Sequence, residues 1–143
     1  MKAALVIMAA GMGSRYGGSK QVDGIGPNGE ILMEYSIHDA LRAGFDKVVF
    51  IIKPEMQEMM DGLVGYLKNK KTADGRAVQV AFVYQDFSSV PDFYKIPAER
   101  TKPFGTGHAV LCARSRRWTA PSASSMPMII TAWTLTAPSM RNW

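Results

Sequence analysis

The sequence predicts an α/β fold built around a parallel sheet, and two observations support this prediction. Three short apolar runs rich in β-branched residues are separated by stretches whose apolar residues recur with a helical period. Continuous apolar runs are typical of strands buried on both faces, as in parallel sheets. Strands that alternate with segments long enough for helical crossovers favour a sheet covered by helices on both faces.

The first strand is predicted at Ala3–Met8, and a glycine-rich loop follows at Gly11–Lys20. The Asn-Gly pair within the cluster Gly26–Gly29 predicts a turn, because it readily supplies positive φ. Apolar residues recur with helical spacing over Leu32–Ala43, and the next residue, Gly44, is a typical helix stop.

The second strand is predicted at Lys47–Ile52, and Pro54 after it suits the first turn of a helix. A stripe of apolar residues continues that helix to about Lys70, and its methionines are expected to pack in the core or at an interface. The third strand is predicted at Val78–Tyr84. The segment Asp86–Phe104 is too long for a bare connection, which favours a binding loop or a lid.

The bulk composition indicates one soluble domain. The chain has 143 residues, 47% of them apolar, and a single cysteine, Cys112, that permits no internal disulfide. The first residues fit neither a membrane span nor a signal peptide, so we expect a cytoplasmic protein without membrane partners. The net charge is +5, but all 12 acidic residues precede Ser115. Mixed charge over most of the chain argues against a nucleic-acid partner.

The loop after the first strand has the chemistry of a phosphate site. Ligands of open parallel sheets bind at the carboxyl ends of the strands, and small residues there let backbone N–H groups approach a ligand. Arg15 and Lys20 add two cations, which together with bare amides favour a triphosphate. The alternative for such a glycine-rich turn is tight packing alone.

Two familiar phosphate motifs do not fit this loop. The dinucleotide fingerprint GxGxxG would need glycine where Tyr16 stands, which argues against a dinucleotide-dependent enzyme. The P-loop GxxxxGK[ST] fails because Ser19 separates Gly18 from Lys20.

The loop resembles instead the signature of the nucleotidyltransferases that make nucleotide sugars, G-x-G-[ST]-R followed a few residues later by lysine. The matching residues are Gly11, Gly13, Ser14, Arg15 and Lys20, and Ser19 replaces a proline that is usual in the family. Gln85 together with Gly105–Ala109 resembles the family's second element, Q…G-T-[AG]-x-A. The resemblance covers residues 1–114.

The resemblance implies a Rossmann-like sheet of the nucleotide-diphospho-sugar transferase type, truncated here. It implies transfer of a nucleoside monophosphate from a nucleoside triphosphate to a sugar 1-phosphate or similar phosphorylated acceptor, with release of pyrophosphate. Arg15 and Lys20 would be the catalytic residues, since cations can neutralise charge on phosphoryl oxygens. The nucleotide-binding residues carried over from the family are Ala9, Ala10, Gly11, Gly13, Ser14, Gln85, Gly105 and Thr106.

The resemblance also implies Mg²⁺, held by an aspartate at the end of a further buried strand after Arg114. Residues 115–143 contain no Asp, Glu, Lys or Gly, yet they hold all three tryptophans, so the aspartate ligand is absent. Back-translation read one base earlier permits VDGPFGVINADDYYGVD over residues 118–134, an apolar strand running into paired aspartates. We therefore interpret residues 1–114 as the nucleotide-binding half of a nucleotidyltransferase, and residues 115–143 as an out-of-frame, non-native tail.

These interpretations predict an inactive fragment of a nucleotidyltransferase, and the alternative is a non-catalytic nucleotide-binding module. His38 and His108 have no Cys or carboxylate partner at metal-ligand spacing, so both are expected to be ordinary helix histidines and no protein metal site is predicted.

Overall fold

The computed structural model describes residues 4–10, 26–102, 104–115 and 128–131. Four strands and three α-helices alternate along the chain, with short 3₁₀ turns between them. The elements are β1 (Ala4–Met8), α1 (Leu32–Arg42), β2 (Lys47–Ile52), α2 (Gln57–Val64), β3 (Gln79–Tyr84), α3 (Thr106–Ser115) and β4 (Met128–Thr131), and the 3₁₀ turns are Pro54–Met56, Gly65–Asn69 and Phe87–Ser89.

The four strands form one parallel sheet in the order β3-β2-β1-β4. In register, Val6 lies opposite Val49 of β2 and Ile130 of β4. The chain moves from β1 outward to β2 and β3, and then returns to the other side of β1. The strand order therefore reverses at β1, and in open α/β sheets ligands bind beside such a reversal point.

Helices cover both faces of the sheet, as the sequence predicts. Alternate residues of β1 and β2, such as Ile7 and Phe50, join one core cluster with residues of α1 and α2. The intervening residues, such as Val6 and Ile51, pack with Ala109 and Ala113 of α3. Most strand side chains are buried for this reason, which explains the continuous apolar runs in the sequence.

The single helix predicted from Pro54 to about Lys70 is wrong. The structure divides the segment into a 3₁₀ turn, the eight-residue helix α2 and a second 3₁₀ turn that begins at Gly65. Gly62 and Gly65 lower the helical propensity of the segment, which favours the change of geometry. The methionine stripe is likewise divided, because Met60 is fully buried whereas Met59 is 39% exposed.

The strand β4 lies within the segment predicted to be a non-native tail. That prediction leaves the apolar residues of the tail without a partner. In the structure, however, Met128–Thr131 pairs with Ala4–Ile7 on the side of β1 that does not face β2. The backbone of these four residues thus has a partner. Whether the segment is out of frame stays a prediction.

Candidate functional site

The end of β1 reaches the carboxyl edge of the sheet at two buried alanines. Ala9 and Ala10 are 3% and 5% exposed, and the Ala9 N–H donates to the Ile51 carbonyl of β2 over 2.8 Å. Small side chains are typical of places where a backbone comes close to a ligand, and these two lie at the point where the strand order reverses. The predicted site residues Gly11, Gly13, Ser14, Arg15 and Lys20 lie outside the described residues.

Gln85 follows β3 at the same edge of the sheet. Its backbone N–H continues the sheet ladder by donating to the Ile52 carbonyl over 2.8 Å, and the residue is 9% exposed. Its amide Nε2 donates to the carbonyls of Phe104 over 2.7 Å and Gly105 over 3.5 Å. The structure thereby joins the two parts of the second family-like element, which stand twenty residues apart in sequence.

The helix α3 begins at this junction. Gly105 and Thr106 are exposed, and the Gly105 carbonyl accepts from the His108 N–H over 3.0 Å. The first turn of α3 contains no acidic residue. Free N–H groups and the helix dipole at such a terminus favour an anionic ligand.

Aromatic contacts hold the two ends of the loop Asp86–Phe104 against the same helix. The ring of His108 stacks on Phe87, with ring centres 6.4 Å apart, and meets Phe104 edge-on at 5.5 Å. The Arg100 guanidinium lies 4.3 Å from the centre of the Phe104 ring. Both ends of the loop therefore pack on the first turns of α3, the arrangement of a closed surface loop.

A second set of contacts beneath the loop could not be found from the sequence. The Ser89 hydroxyl lies 2.8 Å from the Cys112 sulfur and 3.3 Å from His108 Nε2. His108 is only 8% exposed, and its Nδ1 is buried without a hydrogen-bond partner among the described residues. His108 is a helix residue, as expected, but one that connects the loop to α3.

Among solved structures, the chain is similar to the UDP-glucose pyrophosphorylase from Acinetobacter baumanii, with 24% sequence identity and a TM-score of 0.50. The likeness shows the fold. It covers 80% of this chain and 41% of that one, so the chain spans about two fifths of the length of that structure. No protein-family model matches the chain, and neither does any curated protein sequence. The predicted Rossmann-like α/β fold, with a parallel sheet and helices on both faces, is thus confirmed.

The described residues do not offer a donor set for Mg²⁺. No three His, Cys, Asp or Glu side chains among them come together as metal ligands. Asp86, which follows β3 at this edge, directs its carboxylate to the Ser88 N–H and hydroxyl. Residues 115–143 contain no carboxylate side chain. Within the described part of the chain, no helix is long and apolar enough to cross a membrane.

Proposed function

We propose that this chain is the nucleotide-binding half of a nucleotidyltransferase, and that it binds a nucleoside triphosphate at the carboxyl edge of its sheet. The proposed reaction of the complete enzyme transfers a nucleoside monophosphate to a sugar 1-phosphate, or a similar phosphorylated acceptor, and releases pyrophosphate. The observation that supports this most is the Gln85 amide, which holds Phe104 and Gly105 at the carboxyl edge of the sheet, two strands from the reversal of strand order at β1.

The proposed role of each residue follows from the chemical groups that it can present to the nucleotide. The backbone at Ala9 and Ala10, with Gln85, would contact the base, while Gly105 and Thr106 would line the nucleoside. Gly11, Gly13 and Ser14 would bring backbone amides to the triphosphate, and Arg15 and Lys20 would neutralise charge on the phosphoryl oxygens.

The proposed chemistry needs positioning more than proton transfer. An oxygen of the acceptor phosphate attacks the α-phosphorus in line, the bond from this phosphorus to the bridging oxygen of the β-phosphate breaks, and pyrophosphate leaves with that electron pair. The attacking phosphate is already ionised at neutral pH, so no general base is required. Holding two polyanions in line is the main task of the site.

For the 143-residue chain we propose binding without turnover. We expect enzymes of this type to be cytoplasmic and to use Mg²⁺. Residues 115–143, where the carboxylates that would hold the ion are expected, contain no Asp or Glu. No step is therefore assigned to a metal ion here. The same observation favours the second candidate function, a nucleotide-binding module without catalysis.

Two assays test these proposals separately. Titration of the 143-residue chain with UTP, dTTP, ATP, CTP and GTP should show saturable 1:1 binding for at least one of them. Pyrophosphate release should be absent with this chain, but present with a frame-corrected enzyme whose codons after Arg114 are read one base earlier. Absence of triphosphate binding by the frame-corrected enzyme would overturn the proposed site, and binding without release by that enzyme would favour the non-catalytic module.

A further inference from the structure

A groove of about 610 Å³ runs between α1 and the segment Tyr66–Ala73. Its floor includes the buried side chains of Ile37, Leu41 and Leu67, which are part of the core. The Tyr66 side chain lines it as well and is 36% exposed. A volume in this range, an apolar floor and a few polar groups are typical of a small-molecule site.

Three cations line the groove without acidic partners among the described residues. Arg42, Lys70 and Lys71 all line it, and the Lys70 ammonium lies 6.0 Å from the centre of the Tyr66 ring. Among the described residues, none of the three lies within 4.0 Å of a carboxylate, whereas Arg76 nearby contacts two. Three unpaired cations beside an apolar floor attract an anion.

The two carboxylates that line the groove already have partners. Glu30 accepts from the Asn28 N–H over 3.0 Å and from the Asn28 side-chain amide over 2.9 Å, and these hydrogen bonds lower the pKa of Glu30. Glu34 accepts from the Ile31 N–H over 2.8 Å as part of the cap of α1. Burial, with the adjacent Glu34 carboxylate, raises the pKa of Tyr66. The acids are thus engaged within the fold, while the cations are not.

Two of these cations, Arg42 and Lys71, lie at the opposite edge of the sheet from the candidate nucleotide site. Arg42 ends α1, just before β2 begins at Lys47, and Lys71 precedes the start of β3. Ala10 and Gln85 lie beyond the other ends of the strands. A strand of six residues spans about 20 Å, so one small ligand cannot occupy both positions.

We propose that this groove is a second binding site, for a small phosphorylated molecule that carries an aromatic ring. The phosphate lies among Arg42, Lys70 and Lys71, where charge-assisted hydrogen bonds are strong. The ring packs on Leu41 and Leu67 beside Tyr66. This site is independent of nucleotidyl transfer and of the proposed nucleotide site.

Phenyl phosphate is the probe, with inorganic phosphate and benzyl alcohol as its charge-only and ring-only counterparts. In ¹⁵N-edited NMR titrations of the full chain, phenyl phosphate should saturate and shift the amides of Leu41, Tyr66 and Thr72, and both counterparts should bind at least about tenfold more weakly. The double variant Arg42→Gln/Lys71→Gln should weaken phenyl phosphate binding at least about tenfold. Lys68→Gln, on the same turn but outside the groove lining, is the matched control and should leave binding unchanged.

The proposal is overturned if phenyl phosphate does not saturate, or if the shifted amides lie at Ala10 and Gln85 instead of along the groove. Equal weakening by Lys68→Gln would show a general charge effect and would also overturn it. Equally tight binding of inorganic phosphate would also overturn it, because the ring would then contribute nothing to binding. Because the amide mapping uses the unmodified protein, the proposal stays testable even if the double variant unfolds.

Discussion

Gln85 illustrates how a single side chain can serve both the fold and the site. The sequence indicates this residue only by its resemblance to a family element, whereas the structure shows its amide on the carbonyls of Phe104 and Gly105. Its backbone bond to Ile52 would survive truncation of the side chain. The side-chain bond and the backbone bond can therefore be separated experimentally.

We expect Gln85→Ala to lower the free energy of unfolding by about 0.5–1.5 kcal/mol, since the part-buried hydrogen bond from its amide to the Phe104 carbonyl is lost. Gln79→Ala is the matched control, because Gln79 is exposed at the start of the same strand. Urea unfolding measures the free energies of unfolding of both variants. The rate at which Cys112, the sole cysteine, is alkylated reports on opening of the loop. If Gln85→Ala unfolds like Gln79→Ala and leaves alkylation unchanged, the amide does not hold the loop.

The sequence predicts Arg15 and Lys20 as the cations of the triphosphate site, and both lie outside the described residues. Replacing either with alanine in the frame-corrected enzyme should cost at least ~2 kcal/mol of transition-state stabilisation, because charge on the phosphoryl oxygens would lose a partner. The ratio kcat/KM measures this, with Lys68→Ala as a surface control. Near-normal turnover in both alanine variants would contradict the assignment.

Asp74 gives a pH dependence whose sign follows from its partners. Hydrogen bonds from the Thr72 hydroxyl, first, and from Arg76 lower the pKa of Asp74 from its ordinary value of 3.8. A carboxyl group whose pKa is lower in the folded state than in the unfolded state stabilises the fold at pH values above its unfolded-state pKa. This contribution is lost as the pH falls through the folded-state pKa. The ¹³C NMR titration of Asp74 should therefore lie below 3.8 and move upward more in Thr72→Val than in Arg76→Ala. The opposite ranking would show that the ion pair dominates.

At the scale of elements, the sequence located the strands better than the second helix. The bounds of β2 agree with the prediction, since a strand buried on both faces leaves an uninterrupted apolar run. The segment Pro54–Lys70 keeps a helical stripe, but periodicity alone does not show where glycine changes α to 3₁₀ geometry. Likewise, contacts such as Ser89 with Cys112 join residues far apart in sequence and leave no periodic signal.

The glycines of these elements allow a matched pair of substitutions. Gly62 lies within α2 at ordinary φ, with open space where an alanine methyl group would lie, so Gly62→Ala should raise the free energy of unfolding by about 0.5–1 kcal/mol. Gly75 has equally open space but a φ of +80°, so Gly75→Ala should lower it. Thermal and urea unfolding would measure both. A loss of stability in Gly62→Ala would show that α2 depends on its glycine.

In the whole molecule, the two candidate ligand sites lie at two different edges of the sheet. The carboxyl edge holds Ala9, Ala10 and Gln85, beside the reversal of strand order at β1. The opposite edge holds Arg42 and Lys71, two cations that line the groove. The sequence indicated the first edge because glycines and cations follow a strand. It did not indicate the second, because the groove forms only when α1 and the segment Tyr66–Ala73 come together.

For the last 29 residues, the sequence and the structure lead to different expectations, and the difference can be tested. The sequence predicts that residues 115–143 are out of frame, whereas the structure pairs Met128–Thr131 with β1. A non-native segment would leave apolar surface exposed and lose part of the burial that offsets chain entropy. We therefore expect the 143-residue chain to be poorly soluble or partly unfolded, with rapid amide hydrogen exchange at Met128–Thr131, and the frame-corrected enzyme to be compact and to bind Mg²⁺ with nucleotide.

Resequencing across the codons for Cys112 to Met126 should reveal the missing base. In the hydrogen-exchange experiment, the amide exchange rates of β2 provide the internal standard for a native strand. Amides of a stable parallel strand exchange only through opening that costs a large part of the global free energy, whereas a loosely held segment exchanges almost freely. If the present frame is confirmed, the chain melts cooperatively as a monomer, and Met128–Thr131 is protected like Lys47–Ile52, then β4 is a native strand and the prediction of a non-native tail is wrong.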